Sequence, residues 1–386
     1  MAGPFECCLV TRASAIGLNR LQLEALGSAF VVSCVTAREA AVLQQQWSRL
    51  RANTMTMPME IAIDLRSVPA DLQGRVLLSQ LTIGAIEAAA GTRLMLHAAG
   101  VADANGLVVA LVGPSGMGKT TASVFLCQHG FGYVTDETVS IGPDGDVLPF
   151  ARPLSLRRPG GEVQRSPDEL GMGVPSGDLS IARIVLLDRV PGHADSPTLT
   201  AVPLVDALLE LIPHASALAK LPDPLQFMSM IIDRCGGALR LTYGEMDARV
   251  LSMMSELLGR EVEARDPWHP ILPQMQGREA SAPERSAPVH DQKLFQGSVL
   301  DGVVADGEAL VLVDHVPVRL GEIGLAIWDA ARDGVAHTEI VSIVEHEYGA
   351  HPDAPGIVRE AVDQMLEEGL LVPGAEELQM APAPSR

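Results

Sequence analysis

Two spacings of apolar residues alternate along this chain. Short runs at Phe30–Val35, Met59–Leu65, Leu107–Val112 and Ile184–Leu187 are too brief for helices and suit strands. A helical spacing runs through Leu77, Leu78, Leu81 and Ala85, and Thr121–Gln128 reads as a further helix closed by Gly130. Strand and helix patterns in alternation predict an α/β fold. Near the C-terminus, Ser298–Val304, Ala309–Val313 and Val316–Leu320 alternate as strands, with Asp306-Gly307 and Asp314-His315 between them, which predicts a three-stranded meander. Three helical patterns follow, Ile323–Arg332, Thr338–Tyr348 and Ala354–Glu368, the last with Val358 and Val362 among its apolar positions and Gly369 to stop it.

From Glu263 to Asp291 no period survives, and Pro267, Pro270, Pro273, Pro283 and Pro288 are scattered among charged and small residues. The expected organisation is a small α/β lead-in over 1–90, a main α/β domain over 91–262, a Pro-rich linker over 263–290, a compact module over 291–374 and a disordered tail over 375–386. Because each side of the linker carries its own core pattern, removing residues 290–386 is expected to leave the main domain folded.

Composition narrows the function classes. The chain has 386 residues, 47% of them apolar, and its longest apolar stretches fall far short of the roughly 20 residues a membrane helix needs. No basic segment followed by an apolar one opens the sequence, so a cytoplasmic protein is expected. Five cysteines lack disulfide or metal-ligand spacing and are expected to be reduced. A formal charge of −20 argues against nucleic-acid backbones and anionic membranes as partners. Oligomeric state is left open. Only three lysines occur, Lys119, Lys220 and Lys293, and the first lies inside a motif.

That motif is Gly113-Pro114-Ser115-Gly116-Met117-Gly118-Lys119-Thr120, with Thr121 next, and it fits the G-x-x-x-x-G-K-[ST] form between a strand pattern and a helix pattern. Glycines let successive N–H groups turn toward phosphate oxygens, and the following helix adds its positive end. Lys119 is expected to reach the β- and γ-phosphates of ATP, and the Thr120 hydroxyl to help hold Mg²⁺. Two carboxylate candidates lie beyond the loop: Asp136-Glu137 within Tyr133-Val-Thr-Asp-Glu-Thr-Val, and Asp188 at the end of Ile184–Leu187 as in a generic Walker B strand.

The order Leu96-His97-Ala-Ala-Gly-Val101, the loop, then Gly130-Phe-Gly-Tyr-Val-Thr-Asp136-Glu137 resembles the HPr kinase/phosphorylase family. The resemblance implies a P-loop core of the HPr-kinase/PEP-carboxykinase type over 91–262. It places His97 near the transferred phosphate, Asp136 as the base that accepts a hydroxyl proton, and Glu137 beside Thr120 on Mg²⁺, with Asp136 also at the metal. The second acid is Glu where the family has Asp, and the family's Pro-Val-Arg-Pro-Gly-like element is missing, so the acceptor is expected to differ. In Arg152-Pro-Leu-Ser-Leu-Arg157-Arg158, either Arg157 or Arg158 could steady phosphates, or both could sit on a solvated turn.

The C-terminal module, with Leu320, Ala326-Ile-Trp328-Asp and Leu366-Glu-Glu-Gly-Leu-Leu371, resembles PqqD-like domains, winged-helix (α+β) recognition elements for leader peptides. It holds 16 acidic against four basic residues over 291–374, a net of −12, which disfavours DNA. The resemblance implies a peptide added as a strand along Val316, Val318 and Leu320 and against Val358 and Val362 of the third helix. A structural cap or dimerisation unit is the alternative. Together the two resemblances imply an ATP-dependent kinase that phosphorylates a hydroxyl, a serine by preference, of a ribosomally made precursor peptide. A kinase of a folded protein or small molecule and an ATP-gated peptide-binding chaperone are the competing readings.

Overall fold

The computed structural model describes residues 19–51, 60–158, 161–192, 195–262, 266–273 and 293–374. The tail from 375 and most of the linker lie outside the described residues. Among the described residues, no helix is long and apolar enough to cross a membrane.

The lead-in contains β1 (Asn19–Ala25), β2 (Ser28–Cys34), α1 (Ala37–Gln46), β3 (Glu60–Asp64) and α2 (Gln73–Ala89). Thr36 and Glu39 form a capping box at the start of α1, which satisfies two backbone donors reciprocally. Leu77, Leu81 and Ala85 form one stripe of α2 and bury it on Phe30 and Val32 of β2. Met95 and Phe150 of the main domain join this cluster, and Arg49 binds Asp168 and the Met172 and Gly173 carbonyls, so the lead-in is fastened to its neighbour.

The main domain runs through β4 (Leu94–Leu96), β5 (Ala98–Ala102), β6 (Leu107–Val112), α3 (Lys119–Gln128), β7 (Gly132–Thr135), β8 (Val139–Ile141) and β9 (Val147–Leu148). It continues with the hairpin β10 (Leu154–Arg158) and β11 (Gly161–Arg165), then β12 (Ser180–Arg189), β13 (Thr198–Val202) and α4 (Leu204–Leu211). It closes with β14 (Ala215–Ser216), α5 (Pro224–Arg234), β15 (Ala238–Tyr243) and α6 (Ala248–Gly259). Its central sheet has the order β13-β15-β12-β6-β5-β7, parallel at β15-β12-β6 and antiparallel outside. The two-residue period divides each buried strand between two cores. Val109, Leu111, Val185 and Leu187 meet α3 and α6 on one face, while Val108, Ala110, Ile184 and Leu186 meet α4 and α5 on the other. A second sheet, β14-β4-β8-β9, lies alongside.

The C-terminal module has β16 (His269–Ile271), β17 (Lys293–Gln296), β18 (Asp301–Ala305), β19 (Glu308–Val313), β20 (Val316–Leu320) and α7 (Glu322–Ala330). It ends with β21 (Val335–Ala336), α8 (His337–Tyr348), α9 (Ala354–Glu367) and β22 (Leu371–Pro373). The meander is present as an antiparallel sheet in the order β16-β18-β19-β20. The stretch expected to be linker therefore contributes a strand, and Pro270 is tolerated because β16 is at the sheet edge.

The two halves also pack on each other. Ala309 and Val311 face the module's own helices, whereas Val303, Ala305, Leu310 and Leu312 belong to the apolar cluster that contains Leu208, Leu225, Met228 and Ile232 of α4 and α5. The fully buried Asp301 carboxylate accepts from the Leu225 and Gln226 backbone N–H groups, at 2.5 and 3.3 Å, and from Gln226 Nε2 at 2.8 Å. Asp223, at the N-cap of α5, makes no side-chain cap, so the module supplies that cap from a distant strand.

Candidate functional site

Strand β6 delivers Gly113 from the middle of the sheet, and α3 carries the chain away from it. Between them, Gly116 and Gly118 have φ of +92° and +95°, a left-handed region that favours glycine. A Cβ at Gly118 would also lie 3.1 Å from the Tyr243 hydroxyl, which donates to the Met117 carbonyl at 2.9 Å. Tyr243, at the end of β15, thus props the loop from below. Pro114, Ser115 and Gly116 are exposed, and a Cβ at Gly116 would meet open space, so the mouth of the loop is accessible.

Lys119 opens α3 and curls back across the loop, its Nζ donating to the Gly113 carbonyl at 2.6 Å and lying 3.4 Å from that of Pro114. Burial lowers its pKa, while the charges of Glu137 and Asp136 act in the opposite sense. Thr120 Oγ1 lies 3.3 Å from Asp136 Oδ2, and Thr121 faces solvent.

The acid pair follows β7. The Tyr133 hydroxyl, fully buried, donates to Asp136 Oδ1 at 3.0 Å, and burial together with that carboxylate holds the phenol well above its usual pKa. Glu137 Oε1 lies 3.1 Å from His97 Nδ1. Burial alone would raise the Glu137 carboxyl, but the His97 hydrogen bond and the charges of Arg152, His97 and Lys119 hold it below the ordinary carboxylate range. His97 sits in the bend between β4 and β5, where its backbone N–H donates to the His214 carbonyl at 2.7 Å. The His214 imidazole pKa is lowered by burial and by the charges of Lys119 and His97.

Asp136, Glu137, His97, Lys119 and Thr120 thus come together at the loop. Asp188 accepts from Thr242 Oγ1 at 3.0 Å and alternates onto the face of Ile184 and Leu186, opposite α3. The side chains of Arg157 and Arg158 lie outside the described residues. The arginine at the site is Arg152: its Nη2 donates to Glu137 Oε2 at 2.5 Å, and its Nε makes a 3.3 Å charge contact with Asp136 Oδ1 without an aligned hydrogen bond. Burial opposes the Arg152 charge, but the two carboxylates outweigh it and raise its pKa. The signal in the sequence was an arginine between Phe150-Ala151 and Pro153-Leu154, since a charge in an apolar stretch requires a partner.

The residues fit a nucleotide with its metal. The loop offers an open mouth, a helix N-terminus and a buried ammonium to a polyphosphate. Among the described residues no group of three or more His, Cys, Asp or Glu is arranged to hold a metal by itself. Mg²⁺ needs no such cage, because it keeps waters and phosphate oxygens and takes one or two protein ligands, here Thr120 with Asp136 or Glu137.

The residues assigned to peptide docking occupy two environments. Val316 is exposed and Val318 partly buried on β20, which, like β16 on the other side, is an edge strand of its sheet among the described residues. Leu320, Val358 and Val362 are buried in the module's own core, against Trp328 and Ile340.

No protein-family model matches the chain, and no curated protein matches it. Among solved structures, the Hpr(Ser) kinase/phosphatase from Coxiella burnetii is similar to it at 12% identity, over 43% of this chain and 93% of that one, with a TM-score of 0.23. At that score the likeness supports no conclusion, and the functional reading rests on the geometry of the site.

Proposed function

We propose that this chain is an ATP-dependent kinase that moves the γ-phosphoryl group of ATP to a hydroxyl, a serine of a ribosomally made precursor peptide. The observation that carries the reading is the contact of Thr120 Oγ1 with Asp136 Oδ2 at 3.3 Å, with Glu137 and His97 next in line. A loop that only gated binding would need phosphate ligands. Transfer to a hydroxyl also needs a group to take its proton, and an acid pair beside the loop supplies one. In this reading the loop backbone and Lys119 would hold the phosphates, and Thr120 with Asp136 would hold Mg²⁺, which would neutralise charge on the phosphoryl oxygens. His97 and Glu137 line the side from which an acceptor approaches.

For the peptide, the supporting feature is β20. An edge strand presents unpaired backbone groups to an extended segment, and the exposed Val316 offers an apolar contact. Backbone pairing does not depend on the sign of the host's charge, which suits an acidic module.

Incubation of the full chain with MgATP and a candidate precursor peptide, read by intact mass, tests the proposal. A gain of one phosphoryl group, located to serine by fragmentation, is the expected result. An unmodified peptide alongside a phosphorylated folded protein or small molecule would replace the peptide reading with the competing one.

A further inference from the structure

We infer that Glu137, and not Asp136, takes the proton from the acceptor hydroxyl, while Asp136 works with Thr120 on the loop side of the site; the assignment rests on the kinase reading above. The two carboxylates are neighbours in sequence and differ in access. The Asp136 side chain is 2% exposed, and both of its oxygens are engaged: Oδ1 by the Tyr133 hydroxyl at 3.0 Å and Arg152 Nε at 3.3 Å, Oδ2 by Thr120 Oγ1 at 3.3 Å. The Glu137 side chain is 27% exposed and that of its partner His97 is 40% exposed.

An acceptor hydroxyl must come within roughly 2.6–3.2 Å of its base. At Asp136 it would have to displace the buried Tyr133 or Arg152, or pass Thr120. At Glu137 it exchanges with one exposed imidazole. Arg152 keeps Glu137 Oε2 fixed at 2.5 Å, so Oε1 alone is free to trade His97 for the hydroxyl. Arg152 is in this sense a positioning residue: one buried guanidinium sets the directions of two adjacent carboxylates, one toward Thr120 and one toward His97.

In the transfer, the acceptor O–H bond breaks and its proton passes to Glu137 Oε1. The acceptor oxygen bonds the γ-phosphorus of ATP, and the bond from that phosphorus to the β,γ-bridging oxygen breaks, its electron pair leaving on ADP. Glu137 then loses the proton to water. The products are ADP, a phosphomonoester and one proton.

The test compares Glu137→Gln, Glu137→Asp and Asp136→Asn in the full chain. Two readouts are used: transfer from ATP to a pool of synthetic serine peptides, and binding of a non-hydrolysable ATP analogue by calorimetry with and without Mg²⁺. Glu137→Gln is expected to lower kcat by about a hundredfold or more, the usual scale for a lost general base. Its KM for ATP and its Mg²⁺-dependent tightening of the analogue should stay within about threefold of the parent. Asp136→Asn should lose that tightening. If the Gln variant fails to bind the analogue, Glu137→Asp, which keeps the charge beside Arg152, replaces it: reduced kcat with parental analogue binding supports the assignment. Parental kcat in the Glu137 variants overturns it, as does a pure kcat loss in Asp136→Asn with Mg²⁺-dependent binding intact. Those results leave the kinase reading standing. A parent protein that transfers no phosphate to the pool and turns over no ATP overturns both.

Discussion

Lys119 is the residue whose role follows most directly from its surroundings. The residue is 8% exposed, and its ammonium is held by loop carbonyls and faced by two carboxylates, a position that makes sense when a polyanion replaces those partners. Lys119→Ala is expected to weaken ATP binding by about tenfold to a hundredfold, the scale of a charge-assisted hydrogen bond, and to abolish transfer. Calorimetry with the ATP analogue checks this, and parental affinity would remove Lys119 from the phosphate site. The loop residues were legible in the sequence because consecutive positions carry the whole signal. Tyr133, Arg152 and Tyr243 were not, because each matters through a partner on another element that no local pattern names. The choice between Asp136 and Asp188 was open for the same reason, since no local pattern says that Asp188 lies on the face of β12 away from α3.

Among the elements, strands buried on both faces were the most readable, since β6 and the core of β12 carry unbroken apolar runs. Helices α7, α8 and α9 fell within a residue or two of their expected spans, as expected for amphipathic segments with clear stops. The misses are short or interrupted. β17 and β22 have four and three residues and pair with each other across most of the module, so neither shows a period. β16 carries Pro270 in a Pro-rich stretch and reads as linker until its pairing with β18 is seen. For α9, spacing alone indicates a core face, and the core is where Val358 and Val362 lie. The docking role given to them came from the resemblance, whereas Val316 is exposed and Val318 partly buried on the edge strand β20.

At the scale of the whole molecule, the C-terminal module belongs to the structure of the main domain as well as carrying its own core. Val303, Ala305, Leu310 and Leu312 close one face of the α4–α5 layer, and Asp301 caps α5. Ten residues before α5, the His214 carbonyl anchors the backbone of His97, so the capped helix and the site share a short stretch of chain. Asp301→Ala leaves buried N–H donors at Leu225 and Gln226 unpaired and is expected to cost about 2 kcal/mol or more of unfolding free energy. A urea midpoint lowered at unchanged slope is the expected observation. A chain ending at residue 290 should be destabilised further, contrary to the independence expected from the proline-rich stretch, because four apolar residues leave the shared cluster together with the cap. A truncated protein with the parental midpoint would show that the contact is dispensable.

The central claim is that ATP loses its γ-phosphoryl group to a hydroxyl acceptor at the 113–120 loop. Phosphorus NMR of one reaction mixture, containing the full chain, MgATP and the acceptor peptide, tests it most directly by following ADP, inorganic phosphate and phosphomonoester together. The account predicts ADP and phosphomonoester rising in equal amounts, and neither forming with Lys119→Ala. Inorganic phosphate rising with ADP while no phosphomonoester forms, or turnover undiminished in Lys119→Ala, would contradict it.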